Sequence, residues 1–359
     1  MERFENVRLL ADALIPFIEA LFERAGTDRA SAEAVARACV DASARGYDTH
    51  GVRLVPHYLR GIAGGRINPR PRVSFTRPAA AIGHVDADDG LGHLASYRAI
   101  DEGVAIAREA GVAAVAVGRS SHHGATGCYT IEAARRGFAA LGMTHADAIV
   151  VPHGGVKPFF GTNPLSFGLP VEGEEPLLLD MATSSIPLNR VLLRRATDTA
   201  LPPDVAVDEN GVMTTDPHRA TAVLSLGGLN FGYKGAGLAC MIDLLCSAFT
   251  GMAHGFLAPA FGGPDFATPT RLGHFFIVLR PDLFQPADQF RASVSALVRD
   301  LRGQPAQPGM RVMAPSDPEK PEARERARSG IPLDLATWQE LREAAERHGL
   351  DPPTPAGGG

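Results

Sequence analysis

Val117-Gly118-Arg119-Ser120-Ser121-His122-His123-Gly124-Ala125-Thr126-Gly127 lies where two patterns meet. The run before it, Gly111 to Val117, is short, apolar, β-branched at alternate steps and bounded by glycine, so it reads as a buried strand. After Gly124 a helix is expected to start, run through Tyr129–Arg136 and stop at Gly137. Two serines and two histidines therefore fall on a turn between a strand and a helix, where a rigid scaffold can hold reactive groups at a cleft. Histidine is the side chain whose ordinary pKa lets it take or give a proton near neutral pH. The plainer alternative is one histidine capping the helix and the other facing water.

Outward from this turn, residues 73–315 alternate short β-branched runs with helices. Runs are expected at Ala80–Val85, Ala139–Thr144, Pro164–Leu169, Leu177–Asp180 and Phe275–Leu279, and helices at Leu94–Ala110, Gly235–Thr250 and Gln289–Leu301. This is an α/β pattern. Helical spacing marks 4–24, with a kink expected at Pro16, then 30–46, the stretch before Gly61, and 334–348. The Gly/Arg/Pro-rich 64–72 reads as a boundary loop, the Pro-rich, charged 303–330 as a loop, and 352–359 as a disordered tail. Two units are expected: a helical one from 1–72 plus 320–359, and an α/β one over 73–319. Gly235–Thr250 is apolar on most faces and is expected to be buried.

Composition narrows the function. The chain has 359 residues, 45% hydrophobic and 21% charged, with a formal net charge of −5 and no basic block. That disfavours nucleic acid or an anionic membrane as partner. Its four cysteines form no CxxC pair, and Met1–Asn6 opens no apolar leader, so free thiols in the cytoplasm are expected.

Further stretches carry candidate chemistry. In Asp48-Thr49-His50-Gly51-Val52-Arg53, an arginine fork can grip a carboxylate and a nearby histidine can add a donor. An Asp48 helix cap with Arg53 in water fits the spacing as well. Gly161-Thr162-Asn163-Pro164 is a turn signal, and Leu179-Asp180-Met181-Ala182-Thr183 ends a strand in an acid and small residues, suiting a ribose or a plain cap. Lys234 stands among Gly232, Gly235 and Gly237, before the expected helix, where it could meet a phosphate. Neither GxGxxG nor GxxxxGK[ST] occurs, so a Rossmann or P-loop reading fails. A metal site lacks any HxxxH or HxH pair, and a serine hydrolase lacks GxSxG.

Taken together and in order, Asp48–Arg53, Ser120–Gly124, Gly161–Pro164, Leu179–Thr183, Tyr233–Leu238 and Gly273–Phe276 resemble the type 2 malate/L-lactate dehydrogenase family over about residues 5–335. Ureidoglycolate and sulfolactate dehydrogenases and piperideine-2-carboxylate reductase belong to that family. The resemblance implies a non-Rossmann nicotinamide-binding α/β domain beside a helical domain built from both chain ends, assembled as a homodimer. It implies transfer of hydride between NADH or NADPH and a small 2-oxo or 2-hydroxy acid, or a cyclic imino acid. A non-catalytic, ligand-binding member is a further alternative. By the same resemblance His122 is the acid/base, and His50 and Arg53 hold the substrate carboxylate with Ser120 and Asn163 nearby. Asp180, Met181, Ala182, Lys234, Thr144, His145, Ala146 and Thr162 contact the cofactor. The chain departs from the family at Leu188-Asn189-Arg190, Thr144-His145, His153 and Pro315-Ser316-Asp317, so the NADH/NADPH choice stays open. Arg190, Arg194 and Arg195 could pair a 2′-phosphate or form a solvated helix face.

Overall fold

The computed structural model describes residues 6–356. In chain order its elements are β1 (Asn6–Leu9), α1 (Ala11–Arg24), α2 (Arg29–Ala44), α3 (Val55–Gly64), β2 (Ser74–Ala79), β3 (Ile82–Asp86), α4 (Gly92–Ala110), β4 (Val112–Ser120), α5 (Gly127–Arg135), β5 (Ala139–Thr144) and β6 (Val150–Val151). There follow β7 (Leu165–Leu169), β8 (Leu177–Met181), α6 (Leu188–Ala196), β9 (Ala206–Val207), β10 (Ala222–Leu224), α7 (Gly228–Cys246), β11 (Leu272–Leu279), α8 (Ala287–Arg302), α9 (Glu319–Ser329), β12 (Ile331–Asp334) and α10 (Leu335–Arg347). Among the described residues no helix is long and apolar enough to cross a membrane.

The main sheet has the order β2-β3-β4-β11-β5-β7-β8, and only β3 and β4 run parallel. The central strands are apolar along most of their length because both faces are covered. On β4, Ala113, Val115 and Val117 join the core under α4 and α5, while Ala114 and Ala116 pack with Ile242 and Cys246 of α7. On β11, Phe276 and Val278 take the first side, Phe275 and Ile277 the second. A side-chain period of two thus feeds two cores from one strand.

A separate core gathers Leu14, Phe17 and Ile18 of α1, Val35 and Cys39 of α2, Tyr58 of α3, and Leu341 and Ala344 of α10. The chain ends are zipped there: β1 pairs antiparallel with β12, Val7 opposite Leu333. Residues 6–9 are therefore a strand and not the first turn of a helix. Four residues carry no decisive periodicity, and their partner is remote in sequence. The expected tail disorder falls partly on 357–359, outside the described residues; within the described part, the Ala356 N–H donates to the Arg8 carbonyl.

The structure also adds a strand at 74–79 that the sequence pattern leaves unassigned, and it changes the readings of Asp48, 319–329 and α7. Ser74–Ala79 is a strand despite Pro78, which is tolerated because β2 is a sheet edge. The polar stretch 319–329 is a helix and not loop. Pro321 falls in its first turn, where its missing N–H costs nothing, and Arg326 on it bonds the Ser43 carbonyl and pairs with Asp48. Asp48 is thus an ion-pair partner and not a helix cap. Finally, α7 begins at Gly228 and not Gly235. Its glycines permit close packing: a Cβ on Gly235 would lie 2.3 Å from the Leu226 carbonyl oxygen. Nor is α7 buried all round, since Leu229, Phe231, Tyr233, Met241 and Leu244 are exposed.

Candidate active site

The turn after β4 opens into a cavity of about 180 Å³. Its wall comes from the loop before α3 (Tyr47, Thr49, His50), the β4–α5 turn (His122, Gly124, Ala125, Thr126), the end of β5 (Thr144, His145, Ala146), Thr162 and Pro164 before β7, and Asp180, Met181, Ala182 and Pro187 after β8. The volume is below the roughly 300–1,000 Å³ of ordinary ligand clefts. It suits the reacting end of a ligand better than a whole dinucleotide.

His122 lies two residues beyond β4 and half-buried in this wall. Its Nδ1 accepts the Gly124 N–H at 3.2 Å and is 2.7 Å from the Tyr58 hydroxyl. Burial, joined by the neighbouring rings of His50, His93, His57 and His274, holds its pKa well below that of a free imidazole. His50 stacks at 5.8 Å between ring centroids, with its Nδ1 2.8 Å from Thr49 Oγ1, and burial lowers its pKa too. Across the cavity, burial raises the Asp180 carboxyl to about 7, although the Gly127 N–H, donated at 2.8 Å, pulls the other way. A neutral imidazole and a carboxyl that titrates near neutrality thus share one small space. Both can exchange protons with a substrate.

Behind the wall is a buried histidine layer. Thr144 Oγ1 donates to a main-chain carbonyl, that of His145 at 3.0 Å, so it accepts from His274 Nδ1 at 2.7 Å. His274 Nε2 lies 2.8 Å from the Ser120 hydroxyl, which is also within 3.3 Å of the Ser121 carbonyl. His123 bonds Ser96 and Thr126 in the same layer. Adjacent in sequence, His122 faces the cavity and His123 the interior.

The structure brings His50, His122, Thr144, His145, Ala146, Thr162, Asp180, Met181 and Ala182 into one wall. It does not bring in four others. Arg53 is exposed and pairs with no carboxylate among the described residues. Ser120 is buried against His274. Asn163 is fully buried; its amide bonds the Ala239 carbonyl and Asp243, and its Oδ1 accepts the Ala146 N–H. It positions the wall without reaching the cavity. Lys234 is exposed on α7, its Nζ 5.5 Å from the Phe231 ring centre. Arg194 and Arg195 bind the carbonyls of Ala200, Pro217 and Ala220, so neither is simply solvated, while Arg190 is exposed. Sequence reasoning missed Tyr47, Thr126 and Tyr58. Thr126 lies inside the quoted turn but was given no role, Tyr47 directly precedes a quoted motif, and Tyr58 carries no signal beyond an apolar helix face.

The residues of the wall fit the nicotinamide end of a dinucleotide. Asp180 offers an acceptor for ribose hydroxyls and Thr162 a hydroxyl, while the Thr144 hydroxyl is already engaged by His145 and His274. His145 is buried, with Nδ1 accepting the Gly273 N–H and Nε2 lacking any partner, so a donor is left unused at the wall.

A family model described as malate/L-lactate dehydrogenase matches residues 10–342. A ureidoglycolate dehydrogenase (NAD(+)) of Escherichia coli is 35% identical over 338 residues, 93% of this chain and 95% of that protein. A (2R)-3-sulfolactate dehydrogenase (NADP(+)) of Chromohalobacter salexigens is 33% identical, covering 91% and 94%. The solved Δ1-piperideine-2-carboxylate reductase of Pseudomonas syringae superposes with a TM-score of 0.84 at 31% identity, over 94% of this chain and 99% of that one.

Proposed function

The chain belongs to the malate/L-lactate dehydrogenase family, and from that premise we propose that it reduces a small 2-oxo acid, or oxidises the matching 2-hydroxy acid, with His122 as acid/base. It is an NAD(P)-dependent dehydrogenase or reductase, with NAD(H) or NADP(H) as cofactor. One observation carries the reading of the site: His122 shares a small cavity with His50 and Asp180 at the end of β4.

A nicotinamide dinucleotide held at this wall would supply or accept the hydride. Asp180, Met181, Ala182, Thr144, His145, Ala146 and Thr162 would hold it, with Lys234 reaching in from α7. The substrate carboxylate would meet His50 in the wall, and Arg53, exposed in the same loop, would turn in to grip it. Held there, the carbon next to the carboxylate has one orientation, which turns a bimolecular encounter into a positioned one. His122 gives the proton to the substrate oxygen, or takes it in the reverse direction. The small cavity keeps bulk water from competing.

A cyclic imino acid is the second reading. The likeness to the piperideine-2-carboxylate reductase favours it, and an ionised Asp180 could face an iminium nitrogen. The same proposal takes the helical core of both chain ends as one domain, 1–72 with 320–359, beside a nicotinamide-binding domain, 73–319, that is not a Rossmann fold. It takes the exposed apolar face of α7 as covered by a second copy, and the cytoplasm as the location. Nicotinamide absorbance with NADH and NADPH, against 2-oxo acids and cyclic imino acids, tests the reading. Turnover on neither class, by protein that binds a nucleotide, sinks it.

A further inference from the structure

We infer that Tyr58 is a positioning residue that sets which nitrogen of His122 carries the proton and relays a proton to it from the far side. The inference rests on His122 being the acid/base. A main-chain N–H can only donate, so the Gly124 N–H, 3.2 Å away, requires a lone pair on Nδ1. The Tyr58 hydroxyl, 2.7 Å away, donates to the same atom. The neutral ring therefore carries its proton on Nε2, which makes no hydrogen bond among the described residues and is left for the substrate. Glycine at 124 is part of the device: its φ is +73°, and a Cβ there would lie 3.1 Å from the His50 carbonyl and 3.4 Å from His93 Nε2.

A neutral Nε2–H is a weak acid by itself, and an imidazolium is disfavoured here. His50, His57, His93 and His274 surround His122, and no carboxylate is hydrogen-bonded to it. Around Tyr58 stand His93, edge-on at 4.8 Å, and the buried thiols of Cys39 and Cys128; burial and these thiols hold the phenol well above its ordinary pKa, so it gives up its proton only in concert with loss of the Nε2 proton. The phenol is the proton source on the far side. As the substrate oxygen takes the Nε2 proton, Nδ1 takes the phenol proton. One N–H and one O–H bond break, and one O–H and one N–H bond form. The electrons come with the cofactor's hydride. Tyr58 oxygen is then left beside the Gly124 N–H. When product leaves, water returns a proton to Nε2 and Nδ1 returns its own to Tyr58.

Tyr58→Phe removes only the hydroxyl. Initial rates of reduction by wild type and variant are compared from pH 6 to 9, so that the Asp180 titration, common to both, cancels in the ratio. The variant must rely on imidazolium, so the wild-type to variant ratio of kcat should rise by about tenfold per pH unit, with KM little changed. A ratio constant with pH overturns the inference. A second arm needs no Tyr58 variant: ¹⁵N spectra of histidine-labelled wild type, with His122→Asn as assignment, should show the His122 proton on Nε2, and a proton on Nδ1 overturns it. If His122→Asn itself keeps near-normal turnover, the acid/base reading has failed instead.

Discussion

His123 and His274 stack face to face, their ring centroids 4.1 Å apart and both wholly buried. Burial holds His274 and His93 near 3 and His57 near 4, and drives His123 and His122 well down. Their folded pKa values lie below the unfolded value of about 6.5. The unfolded chain therefore binds more protons once the pH drops below that value, and stability falls with it. Asp180 works with the opposite sign, but it is one group against several. Thermal melts should show Tm level above pH 7 and falling steeply between about 6 and 4. A Tm unchanged from pH 7 to pH 5 would mean that these rings charge without cost.

His122→Ala should lower kcat by about 10²–10⁴ while the protein still binds nucleotide, because a positioned acid/base contributes on that order. Single-turnover rates and nucleotide titration separate the two effects. Near-normal turnover removes His122 from the role.

His50 is in the wall and Arg53 is exposed, so their variants should differ. His50→Ala is expected to raise KM for the acid by about tenfold, equivalent to roughly 1.4 kcal/mol, and Arg53→Ala by less. Steady-state kinetics of both variants would reverse the assignment if Arg53→Ala proves the more costly.

Asp180 has a folded pKa of about 7 against 3.8 for a free carboxyl. The folded state binds the extra proton between those values, so its ionisation costs stability as pH rises through that window, and the full cost is present above about 7. Asp180→Asn removes it. At pH 8 the variant should melt several degrees higher, with a ceiling of about 4 kcal/mol for about three pK units. It should bind nucleotide more weakly. A lower Tm at pH 8 would show that the carboxylate is stabilised as it stands.

Gly273 sits where β11 passes the end of α7, and a Cβ there would lie 1.8 Å from the Cys246 carbonyl oxygen. Gly273→Ala must push strand and helix apart, at a cost of about 2–3 kcal/mol or more. Denaturant melts would show the loss; a neutral result would mean that the two elements separate freely.

Much of this was legible in the chain. The strand over 112–120, the turn holding His122 and the helix after it follow from local pattern, because both faces of β4 are covered and glycine marks each end. The wall residues from 144–146 and 180–182 were legible only through ordered motifs, since an acid at a strand end also fits a cap. Tyr58 was not legible as part of the site, and His274, though inside the Gly273–Phe276 motif, was given no role there. One is an ordinary apolar-face residue of α3, and the other a strand position; only pairing across the fold gives them partners. Polarity hid α9, whose Arg326 finds Asp48 from the far end of the chain. The exposure of α7 was missed because an all-apolar helix reads alike whether core or another surface covers it.

β11 lies between β4 and β5, yet it is made long after both. While the chain is being synthesised, β4 and β5 must wait with open, apolar edges, and the sheet can close only once residue 279 has cleared the ribosome. Strands in that condition invite pairing with other nascent chains. Such distant pairing also slows folding. A message broken anywhere before that point yields a product with no central strand and nothing behind Ser120 or Thr144.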